Sequence, residues 1–216
     1  DFLPTCLWCV LFFVVIPIFI YVASYTVYMP SNPNKSLIEI AVENQEYMYN
    51  YHSKLNATHP YESRWYTWPI DLRPIWLYAN YNLPDGKAST IASFGNPAIW
   101  WLSTIAIFIS IIYTMKDKDK VGLLLLVAYA FQYIPWMLTT RCTFIYAYFT
   151  PLPYAIFLLV YCFKKFKWKN KFVKALLAIY LLTVLVLFIR FYPVISGMPV
   201  SKDYINSLKW FETWAF

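Results

Sequence analysis

Glycine, histidine, cysteine and charged residues are all scarce in this sequence. Its 216 residues include four glycines, two histidines and four cysteines, and only 13% are charged. So few glycines exclude a glycine-rich phosphate-binding loop. His52 and His59 lack companions at metal-ligand spacing, so we expect no metal site and no cofactor. Cys6 and Cys9 begin an apolar run and are interpreted as small hydrophobic residues, so the cysteines predict no disulfide framework.

Apolar residues are abundant instead. The chain is 60% hydrophobic and 22% aromatic, with a mean hydropathy of +0.47. A soluble domain of this length needs less apolar surface, so the composition predicts an all-α integral membrane protein. Five apolar runs are long enough to cross a bilayer as helices. They cover about residues 7–28, 97–115, 121–138, 144–163 and 172–191.

The placement of lysines predicts the orientation. Three lysines join the second and third runs at 116–120, and residues 164–174 carry six lysines and no acid. The positive-inside rule places both loops in the cytoplasm. We therefore predict a multi-pass protein of the cell membrane, with its long loop and C-terminus on the outer face. The predicted domains are a first transmembrane helix (1–29), an outer loop (30–96), a four-helix transmembrane region (97–191) and an outer C-terminal tail (192–216).

The outer loop carries five basic and six acidic residues, so the net charge of +7 comes mainly from the cytoplasmic lysines. That charge indicates topology, and we expect no nucleic-acid partner. Asp1 opens almost directly onto an apolar run with no basic residues before it, which argues against a signal peptide. We therefore expect the chain to be the C-terminal part of a longer protein.

Local signals predict some structure in these segments. Ser36 and Glu39 fit a capping box that opens an amphipathic helix over about residues 37–55, lying on the membrane surface. After Leu55 we expect irregular chain punctuated by prolines. Pro151 and Pro153 predict that residues 144–149 form a half-unwound entrance to the fourth run.

The segment from His59 to Tyr78 combines charged side chains with aromatic side chains of the kind that are usually buried. The charged residues are Glu62, Arg64, Asp71 and Arg73, and the tryptophans are Trp65, Trp68 and Trp76. One interpretation is two solvated ion pairs on a surface loop. The other is an anion and sugar site that also includes His59 and Trp65, because arginine forks bind phosphate and aromatic faces stack on sugar rings. The density of aromatic residues favours the second interpretation.

Two further features are predicted on the outer face. Asn96 suits the N-cap of the helix that begins at Pro97, and the positive end of that helix dipole would point at an outer anion. Arg141 and Tyr146 lie between the third and fourth runs. An arginine at the bilayer centre costs about 2.5–3.5 kcal/mol. Arg141 is therefore either an anchor at the interface or the cation that holds a lipid phosphate.

Four stretches, in this order, resemble the C-terminal membrane region of the bacterial polyprenyl- or dolichyl-phosphate-mannose protein O-mannosyltransferases, a GT-C glycosyltransferase family. They are residues 59–69 with Arg73-Pro74, residues 95–101, residues 141–146, and residues 192–200 followed by Trp210-Phe and Trp214. In one departure, Ala147 follows Tyr146 where family members often have histidine. The resemblance covers nearly the whole chain.

The resemblance implies a fold and an activity. The five runs would be the last of about eleven spans, and the enzyme would transfer mannose or a related sugar from a polyprenyl-phosphate donor to Ser or Thr hydroxyls of exported proteins. The catalytic acidic pair would precede this chain, so its catalytic residues are unassigned here. The expected partners are the lipid-linked donor, the exported protein acceptor and membrane lipid.

Two alternatives stay open. One is a GT-C transferase that acts on a lipid or glycan acceptor. The other is a non-catalytic membrane scaffold or partner subunit, including a permease-type subunit. A permease should carry ionisable residues within its spans, whereas no Asp or Glu falls inside any of the five runs. That pattern favours an enzyme whose chemistry takes place at the membrane surface.

Overall fold

The computed structural model describes residues 2–55, 57–166 and 168–216. The chain forms two compact units, Asp1–Asn56 and Ala57–Phe216. Asp1, with which the first predicted domain begins, and Lys167, one of the six loop lysines, lie outside the described residues.

Residues 2–55, the described part of the first unit, contain two helices. Helix α1, Phe2–Ser31, is long and apolar enough to span a membrane. It widens to a π-helical turn at Leu11–Val15, which ends two residues before Pro17. Proline has no N–H to donate within a helix, which accounts for a local change of winding at this point.

Helix α2, Leu37–Lys54, begins as the sequence predicts. The Glu39 N–H donates to Ser36 Oγ at 3.3 Å, and the Ser36 N–H donates to the Glu39 carboxylate at 2.7 Å. The capping box is therefore confirmed. These bonds satisfy two donors at the helix terminus. The bonds that the Ser36 N–H and hydroxyl donate to the carboxylate hold the pKa of Glu39 below its ordinary value. A side-chain hydrogen bond from Gln45 to Tyr21 joins α2 to α1.

The second unit holds the other apolar helices: α3, Pro97–Asp117; α4, Lys120–Tyr133; α5, Leu152–Lys164; and α6, Lys171–Ser196. A 3-10 turn extends α4 to Leu138. With that turn, α3, α4 and α6 are long and apolar enough to span a membrane, whereas α5 has 13 residues. The fourth predicted run is divided, because a 3-10 turn at Ile145–Phe149 precedes α5, with prolines at the junction. This is the half-unwound entrance that the prolines predict.

A small antiparallel sheet was not predicted, and the expectation of irregular chain after Leu55 is wrong at this point. Strands β1, Ile75–Asn80, and β2, Lys87–Ser93, form a hairpin, and β3, Val200–Ser201, pairs with the other edge of β2. The register shifts between Trp76 and Tyr78, which marks a β-bulge. A short helix α7, Lys202–Ser207, follows β3.

Two buried clusters organise this unit. One joins α3, α4 and α5 to the segment before β1, and its members include Trp68, Trp100, Tyr129, Tyr148 and Leu158. The other joins β2 to the end of α6 and the C-terminal tail, and it consists of Ala88, Ala92, Phe191, Val194, Ile205, Leu208, Trp214 and Phe216. Burial of these aromatic side chains fixes the hairpin and the tail against the ends of the helices.

Candidate functional site

Helix α3 holds the segment that precedes β1 by its backbone carbonyls. This segment is a 3-10 turn, Trp65–Ile70, followed by residues 71–73. The indole N–H of Trp100 donates to the Trp68 carbonyl at 2.6 Å, and that of Trp101 donates to the Ile70 carbonyl at 2.8 Å. The Thr104 hydroxyl donates to the Pro69 carbonyl at 2.6 Å. Three consecutive carbonyls of this proline-containing turn are therefore satisfied by side chains from one helix.

Helix α4 and the C-terminal tail complete this support. The Tyr133 hydroxyl donates to the Trp65 carbonyl at 2.8 Å, and the Trp214 indole N–H donates to the Asp71 carbonyl at 2.8 Å. Thr213 donates to the Leu72 carbonyl. Side chains from three parts of the fold thus fix the backbone that carries the predicted charged residues, and a fixed backbone is what a binding site needs.

The loop between α4 and the turn before α5 is attached to the same segment. The Ser63 N–H donates to the Thr143 carbonyl at 2.9 Å, and the Thr143 hydroxyl donates to the Ser63 carbonyl at 2.7 Å. The Trp68 indole N–H in turn donates to Ser63 Oγ at 2.9 Å. These two hydrogen bonds between Ser63 and Thr143 bring the residues next to Ser63 close to the residues next to Thr143.

A cavity of about 220 Å³ lies between these segments. It is lined by Glu62, Ser63, Arg64, Tyr66, Thr67, Leu72, Arg73, Cys142, Thr143 and Thr213. It therefore contains three of the predicted site residues, two arginines and one glutamate. Its volume is below the roughly 300–1,000 Å³ of typical drug-sized ligand pockets, so it suits a single phosphate, sugar unit or side chain.

The charged residues around the cavity act on the pKa of the Cys142 thiol. Burial raises the pKa of this thiol above its ordinary value, and its hydrogen bond to the Glu62 carboxylate raises the pKa further. The positive charges of Arg141 and Arg64 act in the opposite direction. The charge of Arg141 therefore acts on a residue of the cavity lining. The Arg64 guanidinium also approaches the carbonyl of Thr140 at 3.5 Å.

Ion pairs in the described part of the chain lie elsewhere. They join Lys35 to Glu43 at 2.5 Å, and Lys165 to Asp117 at 2.8 Å and to Asp119 at 3.2 Å. The interpretation of Glu62, Arg64, Asp71 and Arg73 as two ion pairs therefore finds no support among the residues that the structure describes.

Asp71 is placed away from the cavity lining. It is 1% exposed, it adopts a left-handed conformation with φ 51°, and its Oδ2 accepts the Gly95 N–H at 2.8 Å. Its Oδ1 has no hydrogen-bond partner among the described residues. Burial raises the pKa of Asp71 to about 7, although the bond from Gly95 acts to lower it. Asp71 therefore belongs to the support of the site.

The other predicted site residues also lie outside the lining. Trp65 packs edge-on against Tyr133, and Asn96 caps α3 by accepting the Ala98 N–H at 3.1 Å while it donates to the Val184 carbonyl at 2.9 Å. The N-cap prediction for Asn96 is confirmed. His59 and Tyr146 both contact the ring of Phe144, with ring centroids 5.1 and 5.6 Å from it. These two form a small aromatic surface beside the loop of Arg141.

Sequence reasoning missed several residues of the cavity. Thr143 and Cys142 lie directly after Arg141, so the polar run between the third and fourth predicted spans was a usable signal. Thr213 gave no local signal, because it lies about 140 residues along the chain from the segment that it contacts.

Comparison with known proteins agrees with the resemblance. The model of the family described as the C-terminal four TMM region of protein-O-mannosyltransferase matches residues 37–214. The chain is 28% identical over 207 residues to dolichyl-phosphate-mannose–protein mannosyltransferase 5 of Candida albicans, covering 84% of the chain and 29% of that protein. It is 29% identical over 184 residues to the polyprenol-phosphate-mannose–protein mannosyltransferase of Mycolicibacterium smegmatis, covering 77% of the chain and 36% of that protein.

The fold has a solved counterpart. The structure of the Saccharomyces cerevisiae protein O-mannosyltransferase Pmt1-Pmt2 complex bound to the sugar donor matches with a TM-score of 0.70 at 24% identity, over 84% of the chain and 27% of that protein's chain. The present chain thus spans about a third of the length of these relatives. The family match covers well over half of the chain, and the fold agrees with it. The chain therefore belongs to the family of C-terminal membrane regions of the protein O-mannosyltransferases.

Proposed function

We propose that this chain is the C-terminal part of an enzyme that transfers mannose from a polyprenyl-phosphate donor to Ser or Thr hydroxyls of exported proteins. The observation that carries the proposal is the family match over residues 37–214. The chain's relatives are named as polyprenol- or dolichyl-phosphate-mannose protein mannosyltransferases, which supports the same donor and acceptor classes here. A catalytic acidic pair is expected in the part of the enzyme that precedes this chain.

The cavity lined by Arg64, Arg73 and Glu62 is proposed as part of the substrate site. Arginine forks bind phosphate or sugar hydroxyls with defined geometry, and here their backbone is fixed by the bonds from α3, α4 and the tail. In the proposed reaction an acceptor hydroxyl attacks the anomeric carbon, the bond from that carbon to the phosphate oxygen breaks, and the lipid phosphate departs. The hydroxyl proton passes to a carboxylate of the expected acidic pair. Cations at the cavity would stabilise the charge that develops on that phosphate. Arg141, whose charge reaches Cys142, would contribute from the adjacent loop.

We also propose that the cavity faces the outer side of the membrane. The cavity lies beside the first turns of α3, whereas the two lysine loops join the opposite ends of the helices. Under the positive-inside rule the lysine loops are cytoplasmic, so the cavity would face outward, where exported proteins are encountered.

The test is mannose transfer in membranes that contain the full-length enzyme. Arg64→Ala and Arg73→Ala should each reduce transfer from polyprenyl-phosphate-mannose to a Ser/Thr peptide by about 10- to 100-fold. That factor follows from the roughly 1.5–3 kcal/mol that a hydrogen bond to a charged group contributes. Arg73→Lys should recover only part of the activity, because lysine keeps the charge and loses the fork.

Arg190→Ala is the matched control, because Arg190 donates to the Ser207 carbonyl at 3.4 Å and is not part of the cavity lining. Rates are divided by the amount of enzyme in the membrane. If both Arg64→Ala and Arg73→Ala transfer mannose at the parental rate, the cavity is not part of the substrate site. The parental full-length protein could also fail to transfer mannose to any Ser/Thr peptide and yet transfer it to a lipid or glycan. That result would show that the acceptor is a lipid or glycan and not a protein.

A further inference from the structure

A second cavity extends from the end of α5 and the first turn of α6 to Leu102, in the second turn of α3. It has a volume of about 340 Å³, and its walls are apolar or aromatic side chains from α3, the end of α5, the following connection and the first half of α6. Leu102, Phe163, Trp168, Phe172 and Leu177 are representative of that lining. We refer to it as the α5–α6 groove.

The shape of the groove suits a hydrocarbon chain. Along α6 it runs from Phe172, in the first turn, to Tyr180. At 1.5 Å per residue that is about 12 Å, a substantial part of the roughly 30 Å apolar layer of a bilayer. An apolar groove that begins in the first turn of a helix long enough to span a membrane, and continues along that helix, has the geometry of an acyl-chain site.

Three lysines are close in sequence to lining residues of the groove. Lys164 follows the lining residue Phe163, and Lys169 follows the lining residue Trp168. Lys174 lies one helical turn before Leu177, and its side chain leans toward the start of α6, hence toward the boundary. All three are exposed. Lys165 differs, because its ammonium group is bound to Asp117 and Asp119.

We propose that the α5–α6 groove binds an anionic glycerophospholipid, with one acyl chain in the groove and the phosphate headgroup on Lys164, Lys169 and Lys174. Basic pockets between transmembrane helices on the cytoplasmic side are known to take anionic headgroups. The occupant is not the sugar donor. The donor phosphate would lie at the cavity of Arg64, whose lining shares no residue with that of the groove. The inference does not depend on the proposed transferase activity.

The experiment uses the full-length protein in phosphatidylcholine vesicles. The vesicles carry a trace of phosphatidylglycerol with a photoreactive diazirine on one acyl chain, or an equal trace of diazirine phosphatidylcholine. After illumination, labelling of residues 163–180 is measured by peptide mass spectrometry. We expect the phosphatidylglycerol probe to label this segment at least about fivefold more than the phosphatidylcholine probe. One lysine near an anionic surface strengthens binding by about 1 kcal/mol, which is about a fivefold change.

Two triple variants separate a specific site from general charge. Lys164→Gln with Lys169→Gln and Lys174→Gln should reduce phosphatidylglycerol labelling to the phosphatidylcholine level. The control, Lys116→Gln with Lys118→Gln and Lys120→Gln, removes the same charge from the other lysine loop and should keep the preference. Replacement of the three groove lysines by arginine should also keep it, which guards against a loss caused by misfolding.

A change of shape provides an independent test. Leu177→Trp fills the groove and should lower labelling by both lipids. Equal labelling of the parental protein by the two lipids would overturn the proposal and leave only ordinary boundary lipid. An equal loss in both triple variants would also overturn it. The proposal would also be overturned if unlabelled polyprenyl phosphate displaced the phosphatidylglycerol probe and unlabelled phosphatidylglycerol did not.

Discussion

Asp71→Asn should make the protein more stable above neutral pH. Asp71 is 1% exposed, and burial raises its pKa from the ordinary 3.8 to about 7. Between these two values the unfolded chain has released its proton while the folded protein keeps it. The free energy of unfolding therefore falls as pH rises, by about 1.4 kcal/mol per pH unit, and levels off above pH 7. The full loss is at most about 4 kcal/mol.

Asparagine removes this dependence at a cost. Its carbonyl can still accept the Gly95 N–H, and asparagine tolerates the left-handed backbone of this position. Its amide brings two N–H donors to a place where Oδ1 of Asp71 finds no partner among the described residues. An unsatisfied buried group costs about 1–3 kcal/mol. The variant should therefore be more stable than the parent by about 1–3 kcal/mol at pH 8, and no more stable at pH 4.

The assay is thermal unfolding of the full-length protein in detergent, at several pH values from 4 to 8.5. Asp85→Asn is the matched control, because Asp85 is exposed and has a similar left-handed conformation with φ 59°. The difference in midpoint between Asp71→Asn and the parent should change steadily with pH, and that for Asp85→Asn should not. A pH-independent difference for Asp71→Asn would refute the argument from burial.

The transmembrane helices could be predicted from the sequence because their signals are local. Length, hydropathy and proline position locate α1, α3, α4 and α6, and they also predict the break before α5. The capping box at Ser36 and the N-cap at Asn96 were readable for the same reason, since each depends on residues within one turn. Signals of this kind require no knowledge of the tertiary fold.

The sheet and the cavity could not be predicted in the same way. Strand β2, Lys87–Ser93, is rich in Ala and Ser, which are weak strand formers, and it is stabilised by β1 on one side and β3 on the other. The site segment shows the same limitation. Its charged residues were identified, but their neighbours Thr143 and Thr213 come from distant parts of the chain. Only the fold shows that Asp71 points into the protein while Arg64 and Arg73 line a cavity.

The sequence predicts that tryptophan rings in the charged segment are buried or stack on a sugar. In the structure the indole N–H groups of Trp100, Trp101 and Trp214 each satisfy a backbone carbonyl of the site segment. A proline-containing turn has fewer N–H groups for regular pairing, so its carbonyls need such donors. The tryptophans therefore position the site through hydrogen bonds as well as through packing.

Two further predictions test this support. Gly95→Ala should lower the thermal midpoint by the equivalent of about 1–3 kcal/mol or more, because its Cβ would overlap the ring of Trp100, which is 3% exposed; an unchanged midpoint would show that the ring can move freely. Trp214→Phe keeps most of the buried ring but leaves the Asp71 carbonyl without its donor, so stability should fall by about 1–3 kcal/mol. Because Thr213 lines the cavity next to this bond, mannose transfer by the full-length enzyme should fall as well, whereas Trp210→Phe, at a residue 42% exposed, should leave both quantities near parental values. Equal effects of the two tryptophan substitutions would mean that ring packing, and not the hydrogen bond to Asp71, holds the tail on the site.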